Sequence, residues 1–269
     1  MPVFWFALSQ VWSINWRYAL LVFFILHFLV YPASNGYNSY MDRDTSSIGG
    51  IKQPLQPTRQ LFYVTVIMDV AAIGLSFLVT PLFAVGILIY ILASRAYSYR
   101  GIRLKKYPIT GYLTVVIFQG AVTFFLVYHG CEKSHSTNVP PLAMLAASLL
   151  IGGFYPLTQI YQHHQDLKDG VETISYKLGY KGTFIFTGIV YAIAFMVLGV
   201  VFFMNLEWIK FFILQLSMVP VIVFYLVWFK KVLKDNKAAN FEYTMGMNYV
   251  ATICSNIGFI SILILRFFE

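Results

Sequence analysis

The sequence predicts an all-α fold, a polytopic membrane bundle, and two observations carry that expectation. Of the 269 residues, 59% are hydrophobic and only 11% are charged, with a mean hydropathy of +0.70. Soluble domains run nearer 45–50% apolar and about 25% charged. Such a chain would expose more apolar surface than water tolerates. The apolar runs are also continuous rather than alternating, which excludes a transmembrane barrel. Spans use up nearly all the chain, so residues 1–269 are expected to form a single integral-membrane domain.

About 20 apolar residues cross the hydrocarbon core. Runs of that kind lie near 16–32, 61–79, 81–94, 111–129, 142–159, 183–204, 209–229 and 247–267. The third is short, and Pro81 parts it from the second by a tight turn. Ahead of them, Pro2 to Val11 is apolar but too short to span alone. It looks like the second half of a helix whose beginning is missing. Eight spans plus that half are expected.

Orientation follows from the basic residues. With the loop after the 16–32 span cytoplasmic, 15 of the 19 Lys and Arg residues fall on the inner side and four on the outer: Arg17, Lys133, Lys210 and Arg266. This is the positive-inside pattern, and it explains the net charge of +8 without nucleic acid as a partner. The partner implied is the lipid bilayer, and the location expected is the cell (inner) membrane. Cys131 in an outer loop and Cys254 within a span are not placed to pair. The N-terminus lacks the basic segment and small-residue cleavage site of a signal peptide.

Two polar stretches interrupt the apolar chain, and both open on the cytoplasmic side. The first is Ala33 to Pro57, with Asn35, Asn38, Asp42 and Asp44 within ten residues. Asn38 and Asp42, at i and i+4, share one helical face, so an amide oxygen and a carboxylate can converge on one hard cation. Asp44 can turn inward if the helix ends there. The second is Tyr161 to Gly179. Gln162 and Asp166 repeat the spacing, and Asp169 and Thr173 extend it, which predicts one polar helical face. The chemistry that needs this arrangement is diphosphate handling, since Mg²⁺ takes few protein carboxylates and completes its shell with water and phosphate oxygens. The alternative is helix-end polar residues capping helices and meeting lipid headgroups.

Between these stretches, Ser94 to Gly111 carries five basic residues and three tyrosines. Its cations and phenol hydroxyls, Tyr97 among them, can hold a diphosphate leaving group, and Lys52 of the first stretch is a further candidate contact. A plain positive-inside loop touching anionic lipid is the other reading. Asp69 is ionisable at mid-span and so a functional candidate. His27 is expected to close a helix–helix hydrogen bond. His163 and His164 beside Asp166 are of a type that can bind a metal, but no third ligand stands at a suitable spacing, which weighs against zinc. The aromatics, 25 Phe, 19 Tyr and 5 Trp, can line a cavity for an isoprenoid chain.

Together these residues resemble the UbiA superfamily of intramembrane prenyltransferases. Its first motif, approximately N-D-x-x-D-x-x-x-D, is matched by Asn38 and Asp42, with Ser39 and Ser46 at acidic positions. The second, D-x-x-x-D-x-x-x-G-x-x-T and a Leu-Gly, is matched by Gln162, Asp166, Gly170, Thr173 and Leu178-Gly179. The loop motif Y-S-x-x-x-x-R-L-K-x-x-P appears as Tyr97-Ser98, Arg103-Leu104-Lys105 and Pro108. The resemblance implies about nine transmembrane helices around a central cavity. It implies Mg²⁺ as cofactor, a prenyl diphosphate donor, and transfer of the prenyl group to an aromatic or lipid-like hydrophobic acceptor. Asp42 and Asp166 inherit the catalytic role. The metal set is Asn38, Asp42, Asp44, Gln162, Asp166 and Asp169, with Arg103 and Lys105 as diphosphate partners. A terpene cyclase and a non-catalytic member share that fold, and a secondary transporter is the competitor from another class.

Overall fold

The computed structural model describes residues 2–43, 47–266 and 268. Eight of its helices are long and apolar enough to cross a membrane. In chain order the helices are α1 (Pro2–Gln10), α2 (Trp16–Asp42), α3 (Arg59–Ser76), α4 (Pro81–Ser98), α5 (Pro108–Cys131), α6 (Pro141–Gln159), the short α7 (His163–Lys168), α8 (Ile174–Met204), α9 (Trp208–Lys234) and α10 (Phe241–Leu265). All eight expected spans are present, and this is an integral multi-pass membrane protein. Several helices outrun their apolar stretches. Most tellingly, α2 continues to Asp42, so the first polar cluster rides on the helix itself.

Helices α2, α3, α4, α5, α6, α8, α9 and α10 each pack on the next, with α1 between α10 and α5. Lipid tails are as apolar as leucine, so close packing rather than water exclusion holds such helices together. Small residues permit it: Ala143, Ala146 and Ala147 of α6 are buried. The backbone N–H of Ala121, within a π-helical turn of α5 (Val116–Val122), donates to Ser148 Oγ of α6 at 3.0 Å. That bond satisfies a donor where no water is at hand. Arg266, just beyond α10, donates to the carbonyls of Ser9, Val11 and Trp12, and so fastens the last helix to the end of the first.

Helix α2 carries another π-helical turn, Ile25–Val30, just ahead of Pro32. Proline offers no N–H to the preceding turn, and a widened turn absorbs that loss. One extra residue rotates all that follows by about 100°, so this turn decides which face of α2 presents Asn38 and Asp42. His27 sits in the widened turn and bonds to Phe23 O of its own helix at 3.1 Å. It stacks on Phe23 and meets Phe4 and Tyr31 edge-on. The expected bond between helices is thus replaced by aromatic packing. Cys131 is the buried last residue of α5 rather than a loop residue, and it and Cys254 are both free.

Helix α8 is broken near its start. Gly179 adopts φ 67°, ψ 175°, a conformation that is essentially glycine-only. The break separates the turn that follows the second polar stretch from the long membrane helix. Gly179→Ala is expected to cost about 1–3 kcal/mol, measurable as a lowered unfolding midpoint in detergent.

Candidate active site

At one end of the bundle, three segments that are distant in sequence converge: the end of α2, the loop after α4, and α7 with its flanks. Two hydrogen bonds set the register between α2 and α4. Ser34 bonds Ser94, and one turn further Ser98 donates to Asn38 Oδ1 at 2.7 Å. Asn38 and Asp42 therefore point along one face toward the α4–α5 loop.

That loop reverses sharply at Arg103, whose φ of 52° is left-handed, and a short 3₁₀ turn, Leu104–Lys106, follows. The reversal turns both cations back onto the acids. Lys105 is ion-paired with Asp42 Oδ2, and both side chains are buried. Arg103 is ion-paired with Asp169 and donates to its carbonyl at 3.0 Å, while lying 3.7 Å from Asp42 Oδ1. Arg100 donates from Nε to Met41 O at 2.8 Å and stands 3.7 Å from Asp169 Oδ1. One cluster thus ties the first polar stretch to the second through the basic loop between them.

Beneath this cluster the hydroxyls of Tyr97 and Tyr155 are hydrogen-bonded to one another, and Gln159 donates to Tyr155 at 2.9 Å. Both Asp42 and Asp166 lie close enough to Tyr97 to interact with it electrostatically. The two carboxylates expected to act together thus share a neighbour. Gln162 directs its amide nitrogen at Ser47 O, at 3.4 Å, which joins the loop after α2 to the start of α7.

Asp169 faces Arg103 and Arg100, in the same cluster as Asp42. Other expectations need amending. Lys52 points away, paired with Glu242 at 2.6 Å on an exposed surface. Thr173 does not extend a polar helical face, because α7 ends at Lys168 and Gly170 turns the chain at φ 68°. It caps α8 instead, accepting from Tyr176 N at 3.2 Å. His163 turns inward to Ser175 Oγ at 2.8 Å and stacks on Tyr180. Burial pushes its imidazole down to about 4. Asp44 lies outside the described residues. Asp69 is paired with Arg95 of α4, which donates Nε to Asp69 Oδ2 at 2.9 Å and lies 4.0 Å from the Tyr37 ring centre. It serves as a link between helices.

Sequence reasoning missed Tyr155, Arg100 and the role of Ser98. Tyr155 sits inside an apolar run with nothing to mark it, whereas Arg100 and Ser98 lay within stretches already singled out.

The donor set limits what cation fits. Among the described residues, no three His, Cys, Asp or Glu side chains lie close enough to hold a metal by themselves. Asp42 Oδ1, however, is buried without a hydrogen-bond partner. Asn38 Oδ1 lies one turn away on the same face. This pair suits a hard cation whose remaining ligands come from water and a bound diphosphate.

Comparison with known proteins bears on the fold and the family. No curated protein sequence matches the chain. Among solved structures, an apo UbiA homologue from Aeropyrum pernix K1 is similar with a TM-score of 0.69 at 17% identity, covering 97% of this chain and 95% of that one. A UbiA homologue from Archaeoglobus fulgidus bound to GPP and Mg²⁺ gives 0.67 at 18%, covering 97% and 94%. A digeranylgeranylglyceryl phosphate synthase gives 0.61 at 18%, covering 98% and 90%. These likenesses establish the fold. The family model for UbiA prenyltransferases matches residues 1–252, a range that contains both polar stretches and the basic loop. The chain therefore belongs to the UbiA prenyltransferase family.

Proposed function

We propose that the protein transfers a prenyl group from an isoprenoid diphosphate to an aromatic or lipid-like acceptor within the membrane, with Mg²⁺ as cofactor. The observation that carries this reading is the convergence of Asp42, Asp166, Arg103 and Lys105 at one end of the bundle. Structures similar in fold hold GPP or DMAPP with Mg²⁺, which supports the same donor class here.

The charge balance of the site supports the metal. Asp42 and Asp169 face Arg100, Arg103 and Lys105, and Asp166 lies near Tyr97 beside them. An incoming diphosphate upsets that balance, and added positive charge must accompany it into a poorly solvated mouth. Asn38 and Asp42 would hold Mg²⁺, which would supply that charge to the diphosphate as it leaves. Arg103 and Lys105 then exchange carboxylate partners for phosphate oxygens, a charge-assisted contact of the same kind. The Tyr97–Tyr155 pair closes the floor below, keeping water from the allylic carbon as its C–O bond ionises. The lost acids, Ser39 and Gln162 among the described residues, favour one metal over two.

The test is a product assay. Purified protein in nanodiscs is supplied with labelled geranylgeranyl diphosphate, Mg²⁺ and a membrane lipid extract. A labelled lipid that requires the extract is the expected product. A cyclic hydrocarbon formed without the extract would establish the cyclase instead, and no Mg²⁺-dependent consumption of the donor would sink both.

A further inference from the structure

The Asp69–Arg95 pair takes no part in the ion-pair cluster at the mouth, yet it adjoins it. On α4, Arg95 precedes Ser98, the residue that holds Asn38, by three positions, a spacing that keeps the two on one face. Three helices meet at this level with little room to spare. Gly36 of α2 approaches α3 so closely that a Cβ there would stand 2.9 Å from Thr65 Cγ2. Arg95 donates to the carbonyl of the same Thr65 at 3.3 Å and to Asp69, so its hydrogen bonds all run to α3. Its Nη1 is buried and has no hydrogen-bond partner among the described residues.

Toward α2 the guanidinium makes a different kind of contact. It lies over the ring of Tyr37, with Cζ 4.0 Å from the ring centre. The Tyr37 side chain is buried, and a cation over an aromatic face is held more strongly away from water. Tyr37 is the residue before Asn38. Neighbouring residues of a helix stand about 100° apart around its axis, so the seat of this ring fixes where Asn38, and Asp42 one turn on, are aimed. Ser98 then reaches Asn38 Oδ1 by a single bond of 2.7 Å, which holds only while α2 keeps that rotation.

We propose that Arg95 is a positioning residue for the donor site, acting through the Tyr37 ring to fix the rotation of the last turns of α2. The functional part of this assignment rests on the prenyl-transfer reading above, in which Asn38 and Asp42 would hold Mg²⁺. An amide and a carboxylate that must meet on one cation tolerate a misplacement of only about 0.5 Å. A helix end left free to turn therefore holds that cation more weakly.

Tyr37→Leu removes the ring and leaves the Asp69–Arg95 pair in place, whereas Tyr37→Phe keeps the ring and drops the hydroxyl. Two measurements on the full chain in nanodiscs compare them. Hydrogen exchange across residues 38–42 should be about tenfold faster in Tyr37→Leu than in the wild type, the size of one desolvated cation–π contact, and unchanged in Tyr37→Phe. Thermal unfolding with geranylgeranyl diphosphate present should need about tenfold more Mg²⁺ for half of the midpoint shift in Tyr37→Leu, while the ligand-free midpoint stays near that of the wild type. Arg95→Lys keeps a charge beside Asp69 but loses the planar group, so it should reproduce both effects and serves if Tyr37→Leu folds poorly. Wild-type exchange in folded Tyr37→Leu, equal acceleration in Tyr37→Phe, or faster exchange with an unaltered Mg²⁺ requirement would each overturn the proposal. A wild type that shows no Mg²⁺-dependent shift counts against the proposed function, and the exchange rates still decide whether Arg95 holds the turn.

Discussion

Asp42→Asn is expected to lower kcat for prenyl transfer by about 100- to 1000-fold, the usual loss when one preorganised electrostatic partner of a transition state is removed. The reason lies in the two oxygens of this carboxylate. Oδ2 is held by Lys105, and Oδ1 is buried without a hydrogen bond. The substitution keeps the shape and removes the charge. Lys105 then lacks its partner, but its long stem lets the ammonium reach the mouth of the site, so the fold should survive. The variant should also need more Mg²⁺ to reach half-maximal rate. Asp166→Asn should behave similarly, because Asp166 shares Tyr97 as a neighbour with Asp42. Steady-state rates across a Mg²⁺ series, alongside circular dichroism, check both. Wild-type rates in both variants would mean that the site has been misplaced.

The largest effect on stability is expected from Asp69→Ala. This carboxylate lies mid-span on α3 and is held by Arg95 of α4, which also donates to Thr65 O at 3.3 Å and faces the Tyr37 ring of α2. One ion pair thus joins three helices at a depth where water is scarce. Removing one partner strands the other charge, at a cost of about 3–5 kcal/mol for a buried pair. Arg95 retains 18% of its side-chain exposure, so the lower end of that range is the better guide. Asp69→Leu/Arg95→Met should recover much of the loss, because no charge is then stranded. Unfolding in mixed micelles by added SDS measures each variant. A double variant less stable than Asp69→Ala would show that the pair contributes more than the avoidance of a lone charge.

The spans were legible because the bilayer demands long uninterrupted apolar runs, and Pro81 marks the start of one of them. The i, i+4 spacing of Asn38 and Asp42 was legible for the same local reason. What escaped depends on partners remote in sequence. Nothing near Asp169 says that Arg103 will claim it, and nothing near Lys52 says that Glu242, 190 residues later, will. The π-helical turn ahead of Pro32 rotates the whole first motif, yet no periodicity in an all-apolar run can show it. Thr173 was misassigned because its spacing from Asp169 suits a helix, while the intervening Gly170 turns the chain.

Not every packed pair shares a connecting hairpin. Helices α2 and α4 run in step, as the Ser34–Ser94 and Asn38–Ser98 bonds show, and α1 meets α10 at the far end of the sequence. The α1–α10 seam is held by tertiary contacts, Arg266 among them at one end. A largely apolar cavity lined by α6, α8, α9 and α10 lies against the same seam, with Pro2 and Val3 of α1 at its edge. What fastens the two ends of the sequence together is therefore one guanidinium on three carbonyl oxygens, with no loop to share the task.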